Sequence, residues 1–378
     1  MNNHTIGILG AAGNVGREAV RMMIAATEYP ILLGGRKQEQ LRSLFSEHET
    51  RINVMQVDVY DAEQLHQFCR SCTIVVNCAG PSKQMKDIIA VACLEQGVHY
   101  VDVSGDEHLY QLLLRRAHEI EAKNLVFLVS SGAYPGLSEI LPAYTAVQYF
   151  DEVHQLEVFF AGQGGFSINA AYDIVCSIKD DTGMGMNYSH FGKAEKMTGA
   201  FHRSYELPPP AGLLDTYPIL NSEFQRMADM YNIQSAYFYN TYPNKSVLNQ
   251  FVMIKALKQY NTEAQKQASA ATLTTLFHGS GQAADHYTMF YLTAVGSKDG
   301  RRVHLRGSLL YPHDWNALSG IVAAQAARLI AQGHSKKPGC FFVAEGIDVS
   351  AMMDGLIKYH QLELAVTECQ QEVDYERT

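Results

Sequence analysis

Three glycines near the start of the chain have the spacing of a turn that binds a dinucleotide. Gly10, Gly13 and Gly16 follow a short apolar run and precede a helical pattern. Gly10 is expected to allow a tight turn, Gly13 to let the backbone approach a pyrophosphate, and Gly16 to let a helix pack closely on the sheet. The first helical turn, which includes Asn14 and Val15, would then present its N–H groups to the phosphates.

Two cations follow the second predicted strand and indicate which dinucleotide is bound. A second apolar run ends in Gly34 and Gly35, and Arg36 and Lys37 come next. NAD sites usually place an Asp or Glu here for the ribose 2′-hydroxyl, whereas a guanidinium can bind a 2′-phosphate bidentately. We therefore predict NADP(H) as the cofactor. The alternative interpretation is that Arg36 and Lys37 only begin a solvated helix.

Small and polar residues also follow the next predicted strands. In a doubly wound sheet the ligand binds beyond the carboxyl ends of the strands, so these positions are candidates for further cofactor contacts. Asp58 and Val59 are expected beside the adenine. The small residues Cys78, Ala79 and Gly80 are expected to let the backbone approach the cofactor. The predicted contacts are Asp58, Val59, Cys78, Ala79, Gly80 and Ser104.

Two side chains are candidates for proton chemistry. Tyr134 follows the sixth predicted strand and could donate a proton or a hydrogen bond; the alternative is a tyrosine packed at an inter-domain hinge. Asp102 follows the fifth strand and could orient a substrate amine or a catalytic water. Asp102 could instead cap the next helix or brace the turn at Ser104.

The elements that must position these residues alternate between strand and helix, which predicts βαβ units and a parallel sheet. Strands are expected at residues 6–9, 31–33, 52–58, 73–77, 99–103 and 125–129. The predicted fold class is α/β, with a Rossmann doubly wound parallel sheet and a second α+β domain that has a mainly antiparallel sheet.

The pattern changes near Tyr134. Segments at 155–161, 287–296 and 303–311 alternate apolar and polar residues, which is typical of an antiparallel sheet with one buried face. We expect the NADP-binding domain at 1–133, with 313–350 packing back on it, and an active cleft between the two domains. A substrate and dimerisation domain is expected at 134–312, and a C-terminal helix and tail at 351–378.

Composition excludes several classes of function. The chain has 378 residues, a net charge of −9 and no basic run, which argues against nucleic-acid or anionic membrane partners. Its apolar segments are too short to span a bilayer. Seven scattered cysteines fit a reduced compartment, and no set of residues has metal-ligand spacing. We expect a cytoplasmic, metal-free homodimer that acts on a small-molecule substrate.

Several phrases of the sequence together resemble one family. They are residues 10–16, 35–37, 77–81, 92–106 and 134–138, of which 92–106 is the most specific. On these the chain is similar to the saccharopine dehydrogenase-like family of NADP-binding oxidoreductases. The resemblance covers about residues 5–140 and implies NADPH-linked chemistry at C–N bonds. Saccharopine-forming relatives tend to carry Asp-Pro-Gly where this chain has Tyr134-Pro135-Gly136, which argues against saccharopine itself as the substrate.

The resemblance implies reduction of an imine formed from an amine and an oxo acid, or the reverse oxidation. Alternatives are an NADP(H)-binding sensor without turnover, and a reductase of a C=C bond or of a carrier-bound imine. A short-chain dehydrogenase would need Tyr and Lys four residues apart on one helix, and no Tyr in this chain is followed by Lys at that spacing.

Overall fold

The computed structural model describes residues 4–48, 50–180, 183–198, 201–242, 245–278, 286–359 and 362–369. The chain divides into two compact units. The first is formed by Met1–Leu137 and Asn316–His360, and the second by Ser138–Trp315 and Gln361–Thr378.

The strands, in chain order, are β1 (Ile6–Leu9), β2 (Ile31–Gly35), β3 (Ile52–Gln56), β4 (Ile74–Asn77), β5 (His99–Asp102), β6 (Val126–Val129), β7 (Glu152–Gln163), β8 (Met184–Gly185), β9 (Asn187–His190), β10 (Lys193–Lys196), β11 (Ser204–Leu207), β12 (Gly212–Leu220), β13 (Ser235–Thr241), β14 (Tyr287–Lys298), β15 (Arg301–Tyr311), β16 (Gly339–Phe342) and β17 (Glu363–Glu368).

The α-helices are α1 (Asn14–Ala26), α2 (Gln38–Leu44), α3 (Ala62–Arg70), α4 (Ser82–Met85), α5 (Ile88–Gln96), α6 (Asp106–Leu114), α7 (Ala117–Ala122), α8 (Leu137–Tyr149), α9 (Ile168–Asp180), α10 (Ser222–Met230), α11 (Lys245–Ala256), α12 (Glu263–His278), α13 (Trp315–Ala331), α14 (Val343–Gly346) and α15 (Val349–Tyr359), with a 3-10 turn at Ser46–His48. Among the helices described, none is long and apolar enough to cross a lipid bilayer.

The first unit contains a parallel sheet with the order β16-β6-β5-β4-β1-β2-β3 across the described residues. Its six N-terminal strands occupy the predicted positions, and the order reverses beside β1, where β4 pairs with it in parallel. Strands β1, β4 and β6 are buried along their whole length, as expected of a parallel sheet covered on both faces. The predicted Rossmann fold is confirmed.

Strand β16 was not predicted. It pairs in parallel with β6 and extends the sheet by one strand, using a segment about 200 residues further along the chain. The first unit therefore recruits C-terminal residues into its sheet, and α13 and α15 belong to the same unit.

The second unit contains a larger sheet with the order β10-β9-β13-β7-β14-β15-β17, and β12 pairs with β8, β11 and β13. The long strands β7, β14 and β15 include the three predicted segments and pair antiparallel. Only the β7–β13 pair is parallel among the described strands of this sheet. The prediction of a mainly antiparallel second sheet is confirmed. The C-terminal tail expected at 351–378 contains the edge strand β17, and its last residues, from 370, lie outside the described residues.

Candidate functional site

The glycine turn between β1 and α1 has the backbone geometry that the sequence required. Gly10 adopts a φ of +75°, and the Gly13 N–H donates to the Gly10 carbonyl at 3.0 Å. A Cβ on Gly16 would collide with the Gly10 carbonyl oxygen and lie 2.8 Å from the Ala11 Cα. The absence of side chains therefore lets α1 begin directly against the strand end.

The N-terminus of α1 is open. Gly13 is its N-cap residue and supplies no side-chain hydrogen bond, and the first turn has no acidic residue. Gly13 and Asn14 are exposed, and Val15 is half-buried. The Asn14 side chain accepts from Arg17 at 2.7 Å rather than capping the helix. Free N–H groups and the positive end of the helix dipole favour an anionic ligand here.

Arg36 and Lys37 lie immediately beyond the end of β2 and are both exposed. Within the described part of the chain neither cation has a carboxylate partner. Strand β2 neighbours β1 in parallel, so its carboxyl end lies on the same edge of the sheet as the glycine turn. Two unpaired cations beside the turn can bind a phosphate.

Asp58 and Val59 follow β3, the next strand outward. The Asp58 carboxylate accepts from the Tyr60 N–H at 3.1 Å, and the Asp58 N–H donates to the Gln64 side chain at 3.0 Å. Asp58 is exposed, whereas Val59 packs against the hydrophobic core. Asp58 and Val59 therefore form a hydrogen-bonded turn at the carboxyl edge of the sheet, the edge at which the carboxyl ends of the parallel strands lie.

The loop after β4 lies directly against the glycine turn. A Cβ on Gly10 would stand 2.7 Å from the Ala79 nitrogen and 2.8 Å from the Cys78 carbonyl. The Cys78 N–H donates to the Leu9 carbonyl at 3.0 Å. Gly80 completes this half-buried loop. Gly10 is thus required both for its positive φ and for this close approach of two backbones.

The Cys78 thiol is held in its neutral form. Burial, and secondly the charge of Asp102, raises the pKa of this thiol. Because a thiolate is the nucleophilic form of cysteine, Cys78 is unsuited to nucleophilic chemistry at neutral pH. The Cys78 side chain therefore packs within the loop that follows β4.

Asp102, at the end of β5, is 2% exposed and accepts several hydrogen bonds. Its carboxylate accepts from Asn77 Nδ2 and from the Ser104 N–H, both at 2.9 Å, and from the Tyr100 hydroxyl. Burial raises the pKa of Asp102, while these hydrogen bonds act in the opposite direction. Burial also raises the pKa of Tyr100 well above its usual value, so this hydroxyl remains a donor.

The backbone of the same strand end fixes the loop that follows β6. The Ser131 N–H donates to the Asp102 carbonyl at 2.8 Å, and the Ser130 N–H donates to the Ser104 carbonyl at 2.7 Å. The loop then turns through the half-buried Tyr134. The ends of β4, β5 and β6 are therefore joined around one buried carboxylate, which agrees with the bracing interpretation of Asp102.

A partly buried ion pair that was not predicted from the sequence lies at the same edge. Lys83 Nζ in α4 is 2.9 Å from Asp106 Oδ2 in α6, and the Lys83 side chain is only 8% exposed. The pair links the segment after β4 to the segment after β5. Nothing in the sequence indicated that the Lys83 side chain is buried, because most lysines are exposed to solvent.

Among the described residues no group of three or more His, Cys, Asp and Glu side chains could hold a metal ion. The geometry at the carboxyl edge instead suits a dinucleotide. In proteins of the Rossmann fold the glycine turn at this place binds the pyrophosphate, and the residues that end the second strand bind the ribose. The fold and site define a dinucleotide-binding protein of the Rossmann class.

Residues 6–127 match the family described as the saccharopine dehydrogenase NADP binding domain. This part of the chain is therefore similar to such a domain, and its cofactor is NADP(H). The resemblance to the saccharopine dehydrogenase-like family predicted from the sequence is confirmed.

Curated relatives support the same family. The human saccharopine dehydrogenase-like oxidoreductase is 22% identical over 188 residues, which are 43% of this chain and 42% of that protein. The chain thus spans about two fifths of the length of this relative. Carboxyaminopropylagmatine dehydrogenase from Synechocystis sp. is 22% identical over 302 residues, covering 72% of this chain and 74% of that protein.

The fold is shared with a solved structure along nearly the whole chain. Apo saccharopine dehydrogenase (L-Glu forming) from Saccharomyces cerevisiae has a TM-score of 0.69 and 13% sequence identity, and the match covers 97% of this chain and all of that one. The likeness extends through both units, so the second α+β domain belongs to the same fold.

Proposed function

We propose that this protein is an NADP(H)-dependent oxidoreductase that transfers a hydride to or from the carbon of a C–N bond. The observation that carries the proposal is the carboxyl edge of the first sheet. There, the glycine turn, three hydrogen-bonded loops and Arg36, which has no carboxylate partner among the described residues, lie at one edge of the sheet, and this arrangement supports a dinucleotide site. When bound, the nicotinamide supplies or accepts the hydride.

Arg36 is proposed to select NADP(H) over NAD(H). Its guanidinium follows β2 and has no carboxylate partner within the described residues. A carboxylate at this place would hydrogen-bond a ribose 2′-hydroxyl and repel a phosphate, whereas the guanidinium attracts the phosphate. Lys37 adds a second positive charge beside it.

The proposed chemistry is reduction of an imine. Among the relatives, one is named carboxyaminopropylagmatine dehydrogenase, and we infer that this chain acts on a related class of secondary amine. Reduction of C=N requires a hydride at carbon and a proton at nitrogen. Tyr134 is the proposed donor of that proton or of a hydrogen bond to the nitrogen.

Asp102 is proposed as a positioning residue for the same reaction. Both of its carboxylate oxygens accept hydrogen bonds from the protein, and it is almost completely buried. A carboxylate in this state holds the loops around it, which leaves the proton chemistry to Tyr134. Ser104 and the Cys78–Gly80 loop are proposed to contact the nicotinamide half of the cofactor.

We further propose that the protein is a cytoplasmic homodimer. All seven cysteines are free thiols, which suits a reducing compartment. The second unit exposes large apolar side chains, including Phe191 at 62% and Leu213 at 67%, which a second subunit could cover. Sedimentation or light scattering measures the mass of the protein in solution and so tests the proposed dimer.

The test of the proposed function is turnover with mixed substrates. The purified protein is incubated with NADPH and pools of amines and oxo acids, and loss of the nicotinamide absorbance is followed. Consumption of NADPH that depends on both pools supports imine reduction. Consumption with an oxo acid or enone alone points to C=O or C=C reduction. A thermal shift with NADPH but no consumption in any pool identifies a sensor.

A further inference from the structure

Helix α13 brings a distant part of the chain to the loop that carries Tyr134. The Ala133 N–H donates a hydrogen bond to Ser319 Oγ at 3.1 Å, across 186 positions of sequence. Both residues belong to the first unit. Ser319 is half-buried in the first turns of α13.

The loop itself is compact and leaves little space beside this contact. The Gly132 N–H donates to the Pro135 carbonyl at 3.1 Å, and the Leu137 N–H donates to the Gly132 carbonyl at 2.9 Å. A Cβ on Gly132 would lie 2.8 Å from the Val103 carbonyl and 3.4 Å from Ser319 Oγ. The loop therefore closes on itself, and its Ala133 amide is the group that Ser319 holds.

Gly320, the residue next to Ser319, packs on α1, the helix that begins at the glycine turn. A Cβ on Gly320 would collide with the Val15 carbonyl and lie 2.9 Å from the Ala19 nitrogen. The glycine thus allows α13 to approach the first turns of α1 at backbone distance. Two consecutive residues of α13 therefore contact the helix that begins at the glycine turn and the loop that carries Tyr134.

We propose that Ser319 is a positioning residue that fixes the Tyr134 loop relative to the glycine turn. This rests on the proposed function, because the loop is held in place for transfer of a proton to the substrate nitrogen. The Ser319 hydroxyl accepts from Ala133 and so sets where the next side chain, Tyr134, stands. The packing of Gly320 on α1 fixes the helix that carries the hydroxyl.

The first experiment measures the loop without any substrate. Amide hydrogen exchange is compared among the wild type, Ser319→Ala, Ser319→Thr and the control Ser71→Ala. Ser71 also bonds a backbone group through its hydroxyl, to the Gln67 carbonyl at 2.9 Å, but lies at the end of α3. We expect exchange in residues 132–137 to increase about tenfold in Ser319→Ala and to match the wild type in the other two variants. Unchanged exchange in Ser319→Ala overturns the proposal.

The second experiment separates positioning from simple stability. With a substrate found by the turnover assay, Ser319→Ala is expected to lower kcat about tenfold. KM and the Kd for NADPH are expected to stay within about twofold of the wild type, and Ser319→Thr to restore kcat. Equal losses of kcat in Ser319→Ala and Ser71→Ala contradict the proposal. A kcat that Ser319→Thr does not restore contradicts it as well. If the wild type shows no turnover, the proposed function fails and the exchange experiment still decides whether Ser319 holds the loop.

Discussion

Asp102 and Asn77 end the adjacent parallel strands β5 and β4, and Asn77 Nδ2 donates to Asp102 Oδ2 at 2.9 Å. The remaining polar atom of each side chain holds the loop that follows its own strand. Asn77 Oδ1 accepts from the Ala79 N–H at 3.0 Å, and Asp102 Oδ1 accepts from the Ser104 N–H at 2.9 Å. One side-chain contact therefore links the two loops that follow β4 and β5.

Replacing Asp102 with Asn is expected to destabilise the fold. The amide has one acceptor atom where the carboxylate has two, so a buried donor at Asn77 or Ser104 loses its partner. We expect the free energy of unfolding in urea to fall by about 2–4 kcal/mol. The matched control is Asp58→Asn in an exposed turn, where the loss is expected to stay below about 1 kcal/mol. Equal effects of the two substitutions would show that the buried carboxylate is not a brace.

The effect of Asp102 on stability is expected to depend on pH. Burial raises its pKa in the folded state above the ordinary value of 3.8, so the folded protein binds this proton more readily than the unfolded chain. The resulting stabilisation is absent above the folded-state pKa, grows as the pH falls through it, and is complete below the unfolded value. We therefore expect the stability of the wild type relative to Asp102→Asn to increase as the pH falls from neutrality towards the ordinary value of 3.8. A difference that shrinks on acidification contradicts this sign.

Two glycines of the turn are expected to differ in what they contribute. A Cβ on Gly16 would collide with the Gly10 carbonyl, whereas a Cβ on Gly13 finds that oxygen at 3.3 Å as its nearest neighbour. Gly16→Ala is expected to lower the free energy of unfolding by about 1–3 kcal/mol. Gly13→Ala should lower it by less than about 1 kcal/mol yet weaken NADPH binding at least about tenfold, because its methyl group occupies the approach to the pyrophosphate.

The control for both glycines is Gly185→Ala, since a Cβ there meets no atom within 4 Å. Urea unfolding and calorimetric titration with NADPH measure the two quantities on all variants. If Gly13→Ala bound NADPH as the wild type does, the pyrophosphate would not lie at this turn.

The ion pair of Lys83 and Asp106 is expected to contribute more than a surface pair. Its lysine and aspartate side chains are 8% and 28% exposed, whereas those of the comparable pair of Lys245 and Asp215, at 3.2 Å, are 79% and 43% exposed. A double-mutant cycle with Lys83→Met and Asp106→Asn should give a coupling energy of about 1–3 kcal/mol in urea unfolding. The cycle on the exposed pair should give less than about 0.5 kcal/mol. Equal coupling energies would mean that burial at the sheet edge adds nothing.

Tyr134→Phe tests the proposed proton donor. Loss of the hydroxyl is expected to lower kcat for imine reduction by about 10²–10⁴ without changing the Kd for NADPH. Tyr60→Phe serves as the control, because that side chain is 62% exposed and should be silent. A Tyr134→Phe enzyme with the kcat of the wild type would assign the proton to another group.

The first unit was predictable because its strands are short apolar runs separated by helical patterns, so periodicity alone located β1 to β6. Strand β16 escaped because only its distant partner β6 makes the Gly339–Phe342 segment a strand. Strand β10 reads Lys-Ala-Glu-Lys and is exposed throughout, so its pairing with β9 leaves no hydrophobic pattern. Tertiary pairing decided both elements.

The candidate site was predictable where the backbone determines it. The glycine turn and the strand ends follow from local sequence, whereas the contacts that organise them join distant residues. Lys83 was missed because a lysine gives no sign of burial in sequence, and Ser319 because its partner Ala133 is 186 positions away. Asp102 was identified, but only its hydrogen bonds distinguish a brace from an acid.

The central claim is that Arg36 binds the 2′-phosphate. Calorimetric titration of the wild type with NADPH and with NADH measures it most directly, together with Arg36→Met and the control Arg42→Met in α2. The account predicts that the wild type binds NADPH at least about tenfold more tightly than NADH. Arg36→Met should abolish that difference by weakening NADPH alone, and Arg42→Met should preserve it. Equal affinity of the wild type for both dinucleotides, unchanged in Arg36→Met, would contradict the account.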